Sequence, residues 1–241
     1  PLPIVAEGMW DEQRSRLVLL RCPAEELARQ LTLLEWAEFQ RIRSVEFLRQ
    51  SWLAKDKEQR APHIVANISR FNMISQWVAS EILTAENFEA RQATLEHLIE
   101  TADHCRRLSN YCSCLQVLSG MQMTCVWRLK PLWSAIDPRS QRLFSDMART
   151  FKIDNNWKRH RELVKAATMP CIPYLGMYLT DLVFAEEGQP NVDENGLINF
   201  DKFRRIAKII QEVQLYQQTP FCLQPIENVQ RYLESPPSEP S

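Results

Sequence analysis

The sequence predicts an all-α fold, a single irregular helical domain with a protruding antiparallel helical hairpin. Three observations carry this. Apolar residues recur at +3 and +4 spacing along most of the chain, the period of a helix with one buried side. Alternating, strand-like runs are nearly absent. Glycine numbers only 5 in 241 residues, too few for a turn-dense β protein. With 45% hydrophobic and 24% charged residues, the chain can bury a sizeable core.

The helices follow in order. Residues Pro23–Ile42 open with a proline and the acids Glu25 and Glu26, which suit a helix N-terminus. Leu27, Leu31 and Leu34 give that helix its apolar face. Ser44 is read as the cap of a short helix carrying Val45 and Leu48. Pro62–Leu83 places Ile64, Ile68, Phe71, Ile74, Val78 and Ile82 on one face. Asn87–Leu108 starts at a capping residue and buries Leu95, Leu98, Ile99 and Ala102. Tyr111–Met121 is apolar on most sides, the pattern of a central helix. Asp137-Pro138 pairs a cap with a proline at the first position, ahead of Leu143, Phe144, Met147 and Phe151. Asn155–Ala167 is basic and contains Trp157.

The hairpin follows. Tyr174–Glu187 and Asp201–Gln218 flank a loop of about Gln189–Asn199 and form an antiparallel pair. The first arm carries Tyr174, Met177, Tyr178, Leu179, Leu182, Val183 and Phe184, which cover most of its circumference. That pattern fits either a helix buried all round or one that packs on the domain with one side and docks a partner with the other. The arm ends in Glu186, Glu187 and Gly188. The acids are neighbours and diverge by about 100° on a helix, so they are no facing acid–base pair. One is expected to face a partner and the other to be solvated. The second arm is expected to bury Phe203, Ile206, Ile210 and Val213. Residues 1–22 read as a weakly ordered lead-in, 23–234 as the domain and 235–241, SPPSEPS, as a disordered tail.

Composition and motifs narrow the chemistry. The net charge is −1, which gives no general nucleic-acid footprint. No GxGxxG or GxxxxGK[ST] occurs, so dinucleotide and P-loop sites have no support. No apolar run reaches the ~20 residues of a membrane span. The seven cysteines are odd in number and no signal-like apolar segment opens the sequence, the pattern of reduced cytosolic thiols. Asn67-Ile68-Ser69 has the form of a glycosylation acceptor, but it falls inside a helical pattern. His104, Cys105, Cys112 and Cys114 lack the spacing that would converge on zinc. Asn191–Lys202 imitates a calcium loop up to its twelfth position. There a bidentate Glu is required and Lys202 stands instead. No metal, cofactor or covalent chemistry is expected.

Several ordered segments then carry a resemblance. They are LARQLTLLE (Leu27–Glu35), SWLAKDKEQRAPHIV (Ser51–Val65), Phe71–Trp77, NYCSCLQVLSGM (Asn110–Met121), VWRLKPLW (Val126–Trp133), PCIPYLGMYLTDLVFAEEG (Pro170–Gly188), LINFDKFRRIAKII (Leu197–Ile210) and YQQTPFCL (Tyr216–Leu223). Together the chain resembles, from about Pro23 to Leu233, the catalytic domain of Ras-family guanine-nucleotide exchange factors.

The resemblance implies a domain that binds a Ras-type small GTPase, Ras preferred and Rap possible, most tightly in its nucleotide-free form, and ejects GDP. The hairpin, about 173–218, would displace the first switch. Val183 matches the apolar residue pushed toward the magnesium site, and Glu187 the acid near the phosphates, which leaves Glu186 to the solvated turn. Tyr174, with Leu115 and Trp157, matches the pocket for the second switch. Gln122, Thr124, Trp127 and Arg128 match the loop facing that switch, and Thr180 and Arg205 complete the implied contacts. Val183 is Leu in some members, Gln122 is often Asn, and Trp127 and Trp157 replace smaller aromatics, which bears on the choice of GTPase. The family's N-terminal helical exchanger motif does not occur in these residues, so the resemblance implies such a domain elsewhere in a parent protein. It also implies a cytoplasmic protein acting at membranes where the GTPase is lipid-anchored. The competing readings are an exchange-deficient scaffold of the same fold and a calcium-responsive helical protein.

Overall fold

The computed structural model describes residues 1–11, 16–192, 196–234 and 236. Twelve α-helices are found among these residues: α1 (Ala24–Phe39), α2 (Lys57–Arg60), α3 (Pro62–Thr84), α4 (Phe88–Arg107), α5 (Tyr111–Gln122), α6 (Thr124–Trp127), α7 (Lys130–Ala135), α8 (Pro138–Thr150), α9 (Asp154–Ala166), α10 (Leu175–Glu187), α11 (Phe200–Tyr216) and α12 (Glu227–Glu234). A two-stranded ladder, β1 (Trp10–Asp11) with β2 (Arg16–Leu17), precedes them. The all-α expectation holds. The SPPSEPS tail lies outside the described residues, except Pro236.

Helix α5 is the axis of the domain. Nearly every residue from Tyr111 to Met121 is buried, as its apolar circumference predicted. It packs against α3 and α4, whose apolar stripes (Ile64, Ile74, Val78, Ile82; Leu95, Leu98, Ile99, Ala102) are fully enclosed. Gly120 sets the α3–α5 spacing. A Cβ there would lie 2.4 Å from the Ser75 carbonyl oxygen and 2.7 Å from Val78, so only glycine admits this approach.

Buried polar groups join the helices. The Glu35 carboxylate of α1 accepts hydrogen bonds from Asn67 of α3 and Gln116 of α5, both at 2.8 Å. This contact uses the Asn67 amide in the interior, so Asn67 is a core residue rather than a surface acceptor. Gln30 of α1 accepts from the Ile226 backbone N–H and the Gln230 amide, which docks α12. Residues 1–22 add Met9, Leu19 and Cys22 to the core.

Predicted caps are found at Asn87, which accepts from the Ala90 N–H, and at Asp137, which accepts from Arg139 and Ser140. Helix α3 is capped from a distance. Glu46, far upstream, accepts from the His63 and Ile64 N–H groups. Burial alone would raise the Glu46 carboxyl, but bonds from His63, Arg43 and Ile64 outweigh it and hold the group below its ordinary value.

Four readings change. Ser44–Leu53 is a kinked 3₁₀ segment entered from Arg43, not a helix capped by Ser44. Its buried apolar residues are Phe47 and Trp52, while Val45 and Leu48 are exposed, and the chain turns left-handed at Arg49 and Gln50 (φ 54° and 50°). On α11, Phe203 is 42% exposed and Lys202 is buried. The buried series runs 202, 206, 210, 213, and Phe203 lies about 100° off it. Ile68 is likewise 38% exposed. The helix Glu227–Glu234 is an addition, since its apolar positions are few.

Candidate functional site

The two arms of the hairpin, α10 and α11, run antiparallel. Tyr178 donates to Glu212 at 3.0 Å and its ring lies 6.4 Å from that of Tyr216. At the far end Lys202 bonds Glu186. Leu175, Met177, Tyr178, Leu179 and Leu182 are buried against the domain. Gly176, Thr180, Val183, Phe184 and Glu187 are not, and they succeed one another at helical spacing. Helix α10 is therefore one-sided, with an open stripe about 17 Å long at 1.5 Å per residue. Phe184, 68% exposed, is its largest apolar group.

A pocket of ≈ 450 Å³ lies at the foot of this stripe. Leu115, Gln122, Trp157 and Tyr174 line it together with Phe71. The Tyr174 ring sits between Phe71 and Trp157, with centroids at 5.3 and 5.2 Å. Gly176 makes room for it, because a Cβ there would come within 2.4 Å of the ring. Burial pushes the Tyr174 phenol above its ordinary value, so it meets any ligand as a neutral hydroxyl-bearing ring. Packed against Trp157, Phe151 and Tyr111, His160 is fully buried, and among the described residues neither ring nitrogen has a hydrogen-bond partner. Burial, and then Arg161, push its imidazole down to about 4.

Beyond the pocket Thr124, Trp127 and Arg128 form an exposed ledge where α5 gives way to α6. Trp127 is 45% exposed and is held from behind by Trp133 and Phe144, at 5.0 and 6.1 Å. The Lys130 ammonium lies 4.5 Å over its ring.

At the distal end Val183 is half-buried and Glu187 exposed, one helical turn apart. The Glu187 carboxylate accepts from the Gln50 amide at 3.2 Å. Glu186 differs from its expected solvated role. It accepts from the Arg49 N–H at 3.3 Å and pairs with Lys202 at 3.7 Å. Lys202 is 4% exposed and its ammonium donates to Glu186 O, Gln189 O and Asn191 Oδ1 at 2.5, 2.8 and 2.8 Å. One of these, Asn191 Oδ1, is the first position of the imitated calcium loop, so the lysine takes an oxygen that such a loop would offer to its ion. Asp193 and Asn195 of that imitation lie outside the described residues. Arg205 stands exposed on α11, away from the pocket lining.

The structure thus gathers Leu115, Gln122, Trp157 and Tyr174 at one pocket and sets Thr180, Val183 and Glu187 on the stripe leading from it. Sequence reasoning missed the Gly176 clearance and the contacts that Arg49 and Gln50 make to the two acids. The glycine two residues after an aromatic at a helix entrance was the available signal for the first.

This arrangement of a helical platform, a pocket and a one-sided hairpin coincides with a family match. Residues 26–204 fit the RasGEF domain, and the chain belongs to that family. Among its relatives, Ras-specific guanine nucleotide-releasing factor 1 of Rattus norvegicus is 42% identical over 210 residues, covering 87% of this chain and 17% of the relative. Ras-specific guanine nucleotide-releasing factor 2 of Danio rerio is 40% identical over 210 residues, with coverage of 87% and 17%. Ras guanine nucleotide exchange factor M of Dictyostelium discoideum is 34% identical over 213 residues, with 87% and 23%. The chain spans about a fifth of the length of these relatives.

Proposed function

We propose that this domain is a guanine-nucleotide exchange factor that binds a Ras-type small GTPase and accelerates release of its GDP. The observation that carries the reading is the pairing of the Tyr174 pocket with the open stripe of α10 that ends at Glu187, in a chain of the RasGEF family. The pocket, with the Gln122–Arg128 ledge, receives the second switch. Tyr174, Trp157 and Leu115 are its apolar anchors.

The stripe acts on the first switch. A GTPase holds GDP through phosphate charge, Mg²⁺ and ordered switch loops. Val183 supplies no oxygen and obstructs the metal site. Glu187 competes with phosphate for the GTPase's cationic and N–H donors. No covalent bond forms. A protein that prefers the nucleotide-free form must, by linkage, weaken nucleotide binding by the same factor. Entering GTP reverses the steps, and the surrounding GTP:GDP ratio sets the direction. Thr180 and Arg205 flank the contact. Ras is the preferred GTPase and Rap the second candidate. The domain works in the cytoplasm at membranes bearing the lipid-anchored GTPase, within a parent protein that also carries an N-terminal helical exchanger motif.

The test is release of a fluorescent GDP analogue from a panel of Ras, Rap and Ral proteins. Acceleration on Ras is expected. Binding without acceleration would replace this reading by a scaffold, and neither binding nor acceleration would overturn it.

A further inference from the structure

Helix α9 opens with three consecutive residues at positive φ: Asn155 (48°), Asn156 (52°) and Trp157 (59°). Asparagine visits this region more readily than most residues, but a bulky tryptophan there is an outlier. Such a run persists only where its surroundings over-determine it. The turn aims Trp157 into the pocket, 8% exposed and against Tyr174.

The contacts that hold the turn come from one arginine and one carboxylate. Arg161 donates through Nε to the Asn156 carbonyl at 2.8 Å and through Nη2 to Asn156 Oδ1 at 3.1 Å. Its two terminal nitrogens also grip Asp181, Nη2 to Oδ1 and Nη1 to Oδ2, each at 2.8 Å. The Asn156 amide reaches Asp181 Oδ1 at 3.4 Å. Both charged side chains are only about one-fifth exposed, 23% and 21%, and the pairing is bidentate, the geometry that makes an ion pair specific. Asp181 lies on α10, between Thr180 and Val183.

We propose that Asp181, Arg161 and Asn156 form a positioning clasp, which holds Trp157 in the GTPase pocket and ties that pocket to the hairpin arm. The proposal rests on the reading of this pocket as the GTPase site. One rigid helix carries Tyr174 at its entrance, Asp181 midway and Glu187 at its end. A shift of α10 therefore pulls on Arg161 and on the strained turn, and occupancy of the pocket pushes back on α10 through the same bonds. Without the clasp the turn relaxes toward negative φ and Trp157 leaves its place beside Tyr174.

The test uses the chain labelled with fluorotryptophan, with the Trp157 resonance assigned by Trp157→Phe. In the free protein Asp181→Ala is expected to shift or broaden the Trp157 resonance. It should also weaken binding to nucleotide-free GTPase about tenfold, or about 1.4 kcal/mol, with loss of that effect in the Trp157→Phe background. Adding Asn155→Gly, which accepts positive φ without strain, should recover part of the affinity. An unchanged Trp157 resonance overturns the clasp. So does a tenfold loss that persists without Trp157, since Asp181 then acts by another route. If Asp181→Ala does not fold, Arg161→Lys serves in its place, because it keeps the charge and loses the planar fork. If the wild-type chain binds no GTPase, the reading of the site fails while the resonance in the free protein still decides the clasp.

Discussion

Replacing Lys202 by Met tests whether the hairpin end is held by one buried cation. Met keeps the apolar stem and removes only the ammonium. Three oxygens lose their donor: Glu186 O, Gln189 O and Asn191 Oδ1. Hydrogen bonds to a charged group contribute about 1.5–3 kcal/mol each. Water reaches the exposed loop and replaces part of this, and the lysine's own desolvation is relieved, so the sum is an upper bound. Breaking one side of a buried pair typically costs ~3–5 kcal/mol, and about 3 kcal/mol is expected here. At ~2–4 °C per kcal/mol for a chain of this size, Tm falls by about 6–12 °C. The assays are thermal unfolding and amide hydrogen exchange across residues 186–202, where protection should drop first. A fall below ~2 °C with unchanged protection would refute the argument, and the buried ammonium's contacts would then stabilise nothing.

Other perturbations separate stability from exchange. Glu187→Ala should slow stimulated GDP release at least about tenfold, while Tm moves by no more than ~1 °C, because its side chain is exposed and, among the described residues, bonds only Gln50; unfolding of the variant would make Glu187 structural. Tyr174→Ala should cost about 2 kcal/mol of GTPase affinity, roughly 30-fold in Kd, as an aromatic anchor does; titration against nucleotide-free GTPase measures it, and unchanged affinity removes Tyr174 from the interface. His160 sets a pH dependence. Its folded value, about 4, lies below its ordinary 6.5, so between these values the unfolded chain binds a proton that the native chain does not. Its contribution is complete above pH 6.5 and is lost as pH falls toward 4, by on the order of 3 kcal/mol. Urea unfolding from pH 7 to 4 should show a shallower decline for His160→Phe than for the wild type, and equal slopes would contradict the assignment.

Helix content was legible because tertiary packing here follows local pattern. The stripes of α3 and α4 are continuous, and Asn87 and Asp137 announce their helices. Legibility ended where distant residues replace local ones. Glu46 caps α3 from outside the usual capping window, so no cap signal precedes Pro62. The left-handed turn at Arg49 and Gln50 has no glycine to mark it, nor does the run at Asn155–Trp157. Lys202 sits in a buried slot that hydropathy would give to Phe203. The α10 pattern left open a helix buried all round or one with a free side, and the structure shows the free side. Leu115, Trp157 and Tyr174 come from three helical regions, and no spacing rule unites them; family resemblance grouped them before the fold did.

Gly120 has a consequence for how this site can change. The gap between α3, which supplies Phe71, and α5, which supplies Leu115 and Gln122, is fixed where the Gly120 main chain meets the Ser75 carbonyl and no Cβ fits. The width of the pocket floor is then indifferent to rotamers, and the floor has almost no adjustable parameter left. The rim has many, since Gln122, Thr124, Trp127 and Arg128 are exposed and their replacement disturbs little of the core. A change of GTPase preference can accumulate at those positions one substitution at a time, on a foundation that does not move.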